Sequence, residues 1–108
     1  FKIIHCDEFQ TEGTDKIAER IKKRVGDNPL YLSIDIDVLD PAFAPGTGTP
    51  EIAGMTTREM VNVLRGLSGL NLVSADVVEV SPAYDHAEVT SLAAATIVYE
   101  LTNLFAKI

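Results

Sequence analysis

Apolar positions along this chain alternate between unbroken runs and helical spacing, and the changes of period divide it into elements. Residues 1–6 form an apolar run carrying Phe1, Ile3, Ile4 and Cys6, which predicts a short strand. Residues 7–13 are polar and predict a loop. From Thr14 or Asp15 to Val25, Ile17, Ala18, Ile21 and Val25 recur at helical spacing with charges between them. Gly26-Asp27-Asn28-Pro29 then stops that helix. Residues 30–36 make a second apolar run and a second strand. Residues 38–55 follow neither period and hold Pro41, Pro45, Pro50, Gly46, Gly48 and Gly54. A loop this long inside a compact domain, restricted by three prolines, predicts an ordered functional segment.

Thr56-Thr57-Arg58-Glu59 has the form of a capping box. Met60, Val63, Leu64 and Leu67 supply the stripe of the helix that follows, which ends near Gly66 to Gly69. Residues 72–80 predict a third strand, buried through Val73, Val77, Val78 and Val80. After Ser81-Pro82 a last helix runs from about His86 or Ala87 to Lys107. It carries no charge between Glu88 and Glu100, which predicts burial over most of its circumference. The order is β-α-β-loop-α-β-α. Strands alternating with helices imply an α/β fold with a mostly parallel sheet and right-handed crossovers.

Composition narrows the classes of partner. Apolar residues make up 46% of the 108, enough for a packed core. A net charge of −7 disfavours nucleic acid and anionic membrane, both of which demand a basic face, and suits a cationic ligand. The single cysteine, Cys6, allows no internal disulfide and reads as a small core residue at a strand end. No apolar stretch approaches the ~18 residues of a membrane span. The chain opens on an apolar run at Phe1 without an initiator Met, so the expectation is a piece of a larger fold.

The candidate chemistry lies at the end of the second strand, in Ser33-Ile34-Asp35-Ile36-Asp37-Val38-Leu39-Asp40-Pro41. Open α/β sheets place their sites at the carboxyl ends of strands. Two acids one residue apart on a strand point the same way. No basic residue lies between Arg24 and Arg58, so the pair needs another cation, and hard carboxylate oxygens suit Mg²⁺, Mn²⁺ or Ca²⁺. Taken alone, Asp-x-Asp equally fits a solvated pair or a phosphatase that uses its first Asp as nucleophile. Glu79 ends the third strand as Asp35 and Asp37 end the second. Asp40, before Pro41, reads as a loop-ordering residue, and His86 as a turn or cap residue. Tyr84 and Asp85 shape either the pocket wall or a subunit contact. Ser33 has no His–Asp relay and is rejected as a nucleophile.

The longer pattern is more specific. Ser33-x-Asp35-x-Asp37, the stretch from Leu39 through Pro45-Gly46-Thr47-Gly48-Thr49-Pro50-Glu51, and the later Asp76-Val77-Val78-Glu79-Val80-Ser81-Pro82 with Tyr84-Asp85 resemble the ureohydrolase family (arginases, agmatinases and relatives). The resemblance runs from about Leu30 to the C-terminus and is greatest to the agmatinases. It implies a three-layer α/β/α fold and a binuclear Mn²⁺ centre, where a metal-bridging hydroxide attacks a guanidino carbon to release urea and an amine. The expected reaction is agmatine to putrescine, with guanidinobutyrase or arginase-type substrates as alternatives. Residue by residue, Asp35 and Asp37 match metal ligands, Glu79 the carboxylate that binds the guanidinium, and Thr49 a loop threonine near that carboxylate. A guanidinium is well met by a carboxylate accepting two parallel hydrogen bonds.

The family's other metal ligands, from a Gly-Gly-Asp-His-type and an Asp-Ala-His-x-Asp-type segment, and its proton-shuttling histidine lie upstream of these motifs. Neither segment occurs in this sequence. The expectation is therefore the C-terminal portion of one ureohydrolase domain, inactive as an isolated piece and weak in Mn²⁺ binding. The complete enzyme is expected to be an intracellular, cytoplasmic homo-oligomer, a trimer or hexamer, with organellar targeting left open. Two other classes remain: a non-catalytic assembly fragment, and an Asp35-nucleophile phosphatase. The absence of any lysine between Lys23 and Lys107 disfavours the phosphatase.

Overall fold

The computed structural model describes residues 1–107. Its regular elements are α1 (Cys6–Glu12), α2 (Thr14–Val25), β1 (Leu30–Asp35), a 3₁₀ turn (Ile36–Val38), α3 (Thr57–Gly66), β2 (Leu72–Val78), a second 3₁₀ turn (Pro82–Tyr84) and α4 (Val89–Phe105). The α/β architecture with a parallel sheet is as the alternation of periods predicts. β1 and β2 pair in parallel, with Tyr31 opposite Ser74, Ser33 opposite Asp76 and Asp35 opposite Val78. The connection between them crosses over through α3, as parallel pairing requires.

Residues 1–5 are not a strand. A strand needs a ladder partner, and among the described residues β1 and β2 pair only with each other. Phe1 and Ile3 are exposed. Residues 7–12, predicted as part of a loop, belong to helix α1, and Cys6, predicted at a strand end, is exposed at the start of that helix rather than buried in the core. The helix has no buried residue, so it leaves no apolar period to read. Polar contacts hold it, together with half-buried Phe9, which packs against the core. Glu8 accepts from the His5 backbone N–H at 2.5 Å, and Arg20 of α2 bridges Glu8 and Glu12 at 3.0 Å each. Asp7 and Glu8 also lie in the first turn, where acidic groups complement the helix dipole.

The core lies on one face of the sheet. Ile34, Ile36, Leu39, Met55, Met60, Val63, Leu64, Ala93, Ile97 and Leu101 form one buried cluster, with Leu32, Ala75 and Val77 packed against it. These residues come from the sheet, α3, α4 and both ends of the long loop. The capping box is present: Thr56 Oγ1 accepts from Glu59 N at 3.0 Å, and Glu59 Oε2 accepts from Thr56 N at 2.9 Å. Glu100, only 5% exposed, is satisfied by Arg65, whose Nη2 donates at 2.7 Å and whose Nε donates to both oxygens.

The predicted burial of the third strand and the last helix is only partly realised. Val78 is 38% exposed because within these residues only one sheet face is covered, and Val73 is 56% exposed at the register irregularity where Leu30 pairs with Leu72 and Tyr31 with Ser74. Side chains alternate, so Tyr31, Ser33 and Asp35 are exposed while Leu32, Ile34 and Ile36 point into or toward the core. α4 buries Thr90, Ala93, Ile97, Glu100 and Leu101, yet leaves Leu92 and Tyr99 each 64% exposed. α4 also starts later than predicted, at Val89, because Ala87 (φ 49°) and Glu88 (φ 60°) adopt the left-handed conformation just before it. No described helix is long and apolar enough to cross a membrane.

Candidate guanidine and metal site

Asp35 ends β1, but Asp37 is not on the strand. The Asp35 carboxylate Oδ1 accepts from Asp37 N at 3.1 Å, and this short turn starts the 3₁₀ segment Ile36–Val38. Ile36 between them is fully buried, whereas Asp35 is exposed and Asp37 half-buried. The two acids therefore share the side away from the core, as predicted. A turn achieves this in place of strand alternation.

The loop that follows is tied at its base. Leu39 and Met55 form a parallel bridge, Asp40 N donates to Met55 O at 2.8 Å, and Met55 N donates to Val38 O at 2.9 Å. The Asp40 carboxylate completes the clasp. Its Oδ1 accepts from Ala42 N at 2.9 Å, and its Oδ2 accepts from Ala53 N at 3.0 Å and Gly54 N at 3.3 Å. This is the loop-ordering role predicted for Asp40. With its base closed, the loop returns Thr49 to the strand end, where Thr49 Oγ1 donates to Asp37 Oδ2 at 2.8 Å. Thr47, two residues earlier, is buried, and its hydroxyl has no hydrogen-bond partner among the described residues.

Glu79 lies one residue past the end of β2. The register pairs Val78 with Asp35, and neighbouring parallel strands run about 4.8 Å apart. Glu79 therefore leaves the sheet at the same rim as Asp35 and Asp37. It is exposed and has φ 67°, the left-handed region that a residue with a Cβ occupies at a cost of ~1–2 kcal/mol. Strained backbone of this kind concentrates at functional sites.

Two clusters near the site carry little signal in the sequence. On the open sheet face, Ser33 Oγ donates to Asp76 Oδ1 at 2.6 Å and the Tyr31 hydroxyl donates to Asp76 Oδ2. These bonds, that of Ser33 foremost, hold the Asp76 carboxyl below its ordinary value, and Asp76 in turn pushes the Tyr31 phenol up. Ser33 is thus the partner of a carboxylate, consistent with its rejection as a nucleophile. Only the cross-strand register could have revealed this pairing.

Asp85 is the second case. It accepts from His86 N (2.9 Å), Thr90 N (3.0 Å), Ser91 N (3.0 Å) and Ser91 Oγ (3.3 Å), and so caps the start of α4. His86 lies in the turn ahead of that helix, as predicted. Desolvation pushes the Asp85 carboxyl up, but the hydrogen bonds from Thr90, Ser91 and His86 outweigh it and hold the group at about 2, against an ordinary 3.8. A depressed folded-state value stabilises the fold above the unfolded value and is lost as pH falls through the folded one. Between about pH 4 and pH 2 the cap should therefore weaken progressively. Denaturant unfolding at pH 5 and pH 2.5 checks this: Asp85→Asn should be less stable than the parent at pH 5, and the difference should shrink at pH 2.5.

The fit to a metal is partial. Asp35 and Asp37 offer hard oxygens, and Asp35 Oδ2 and Asp37 Oδ1 take no part in the bonds above. Among the described residues no group of three or more His, Cys, Asp or Glu is arranged to hold an ion. The pair is chemically suited to a hard divalent cation and does not by itself complete a donor set among the described residues.

Residues 1–103 match the family model described as Arginase family. The chain belongs to the arginase family. A Schizosaccharomyces pombe relative is 62% identical over 107 residues, covering 99% of this chain and 27% of the relative. An agmatinase of Photorhabdus laumondii is 53% identical over 104 residues, covering 96% of this chain and 34% of that protein. Among solved structures, proclavaminate amidino hydrolase from Streptomyces clavuligerus superposes with a TM-score of 0.96 at 46% identity, over 98% of this chain and 35% of that one. The chain thus spans about a third or less of the length of the relatives it matches. Membership of the arginase family sets aside the phosphatase reading of Asp35.

Proposed function

We propose that this chain supplies the carboxylate side of a Mn²⁺-dependent guanidine-hydrolysing site, with agmatine, cleaved to urea and putrescine, as the first substrate. The register between β1 and β2 carries the reading, because it brings Glu79 to the rim where Asp35 and Asp37 lie. In this reading Asp35 and Asp37 hold metal, and Thr49 keeps one oxygen of Asp37 engaged so that the other is presented in a fixed direction. Glu79 accepts two parallel hydrogen bonds from the planar guanidinium and orients its carbon toward the aspartates. When bound, the Mn²⁺ pair supplies the positive charge that makes water a competent nucleophile near neutral pH. The agmatinase name of a 53%-identical relative supports agmatine. The likeness to proclavaminate amidino hydrolase supports the guanidine as the shared element and leaves the rest of the substrate to other parts of the pocket.

The chain is read as the C-terminal portion of a single ureohydrolase domain, the remaining Mn²⁺ ligands lying in sequence outside residues 1–108. Two outcomes are expected. The full-length chain carrying these residues releases urea from agmatine with added Mn²⁺, faster than from 4-guanidinobutyrate or arginine, and Glu79→Gln suppresses that release. Residues 1–108 alone release no urea and bind Mn²⁺ weakly by calorimetric titration. Robust turnover by residues 1–108 alone would refute the divided site. A full-length chain inactive on all three compounds would favour the non-catalytic assembly reading. The proposal includes an intracellular, cytoplasmic homo-oligomer. The exposed Leu92, Val98 and Tyr99 on α4 support assembly, and sedimentation of the full-length chain tests it.

A further inference from the structure

Gly46 joins three elements that the sequence separates. Its carbonyl accepts from Ser81 N at 2.7 Å, and its N–H donates to Thr90 Oγ1 at 2.7 Å. Ser81 lies two residues beyond Glu79, and Gly46 three residues before Thr49. A continuous path therefore runs from Glu79 through Ser81 and Gly46 to Thr49 and on to Asp37. The junction is tight: a Cβ on Gly46 would come within 2.8 Å of Asp85 Cβ and 3.0 Å of Thr90 Oγ1. Thr90 is fully buried, and its own N–H is held by Asp85.

Helix capping explains Asp85 but not the bond that the Thr90 side chain accepts from Gly46. The Asp85 carboxylate already accepts the N–H groups of Thr90 and Ser91 at the start of α4. The Thr90 hydroxyl, beside the Asp85 carboxylate, also accepts from the loop. The clasp at Asp40 fixes only the base of that loop, and the Gly46 contacts fix the arm that carries Thr49. We infer that Thr90, anchored by Asp85, is a positioning residue that sets the offset between Glu79 and the Asp37–Thr49 pair. The inference rests on the reading of Glu79 as the guanidinium carboxylate. A paired hydrogen bond to a planar cation is directional, and a displacement of ~1 Å can cost up to ~10²-fold in rate.

Thr90→Val in the full-length chain keeps the side-chain volume and removes the acceptor, leaving the Gly46 N–H unpaired. Amide exchange at Gly46 and Ser81 should quicken by about tenfold, as expected when a local tie opens. The KM for agmatine should rise by about tenfold with Mn²⁺ content unchanged, because a misplaced carboxylate weakens guanidinium binding. Thr90→Ser, which retains the hydroxyl, should restore both. Asp85→Asn, a milder perturbation of the same anchor, should move KM in the same direction. Unchanged exchange at both amides in Thr90→Val overturns the inference. So does a lowered Tm with KM unaltered, or a Thr90→Ser variant as impaired as Thr90→Val. A wild type without activity on any guanidino compound overturns the guanidine reading instead. Amide exchange then judges the coupling of Gly46 to Ser81 without reference to catalysis.

Discussion

Asp37→Ala in the full-length chain is expected to lower kcat/KM for agmatine by about 10³-fold and to reduce Mn²⁺ affinity with it. On the proposed reading the substitution removes a ligand of an ion that supplies several kcal/mol of charge stabilisation, at 1.36 kcal/mol per tenfold. Two effects coincide at this residue. One oxygen of Asp37 is free for metal, and the other holds Thr49, so truncation also releases the tip of the loop. Thr49→Val separates them: it removes only the hydroxyl and should cost far less. Glu79→Gln should give a different signature, with Mn²⁺ content retained and agmatine binding impaired, because in the proposed function the carboxylate meets the substrate and not the ion. Metal analysis beside steady-state kinetics distinguishes the three. If Asp37→Ala retained metal and turnover, the assignment of the carboxylate pair would fall.

The second large effect is on stability. Gly54→Ala should destabilise the fold by about 3 kcal/mol or more, the upper part of the range for overpacking. A Cβ there would lie 2.5 Å from Asp40 N, 2.8 Å from Leu39 C and 2.9 Å from Asp40 Cα. All three neighbours are backbone and belong to the clasp at the loop base, so no side-chain rotation relieves the clash. The Leu39–Met55 bridge has to open or the loop has to lift. Gly48→Ala is the control, since a Cβ at Gly48 meets nothing within 4 Å and should leave stability nearly unchanged. Denaturant midpoints of the two variants give the comparison, and equal midpoints would show that the clasp is plastic.

The sequence disclosed the features that rest on local chemistry. The capping box at Thr56 and Glu59, the stop at Gly26, the loop-ordering Asp40 and the two strands around the site are all written in short-range patterns. The family was legible from the spacing of Ser33, Asp35, Asp37, Pro45, Gly46 and Glu79. What failed depends on non-local partners. The run at residues 1–6 looks like a strand because it is apolar, yet apolarity supplies no ladder partner. α1 is held by Arg20 from the next helix, a tie that no periodicity encodes. The uncharged stretch of α4 predicts burial over most of its circumference, but burial depends on what is packed beside a helix. The Asp85–Thr90–Gly46 junction joins residues up to 44 positions apart. Its only local trace is an Asp shortly before a helix start.

The clasp at Leu39, Asp40, Gly54 and Met55 has a consequence for how such loops diversify. Because the two ends are pinned to each other, chain length on the side beyond Thr49 should be able to change with little strain on β1 or α3. Residues added beside the exposed Ile52 fall outside the path from Gly46 through Thr49 to Asp37, whereas residues added between Gly46 and Thr49 fall within it. The segment thus works as a hoop buckled at its base and pinned along one arm at Gly46 and Thr49, with its adjustable length on the far side. New rims can be cast around the same chemistry by lengthening the far side of the hoop.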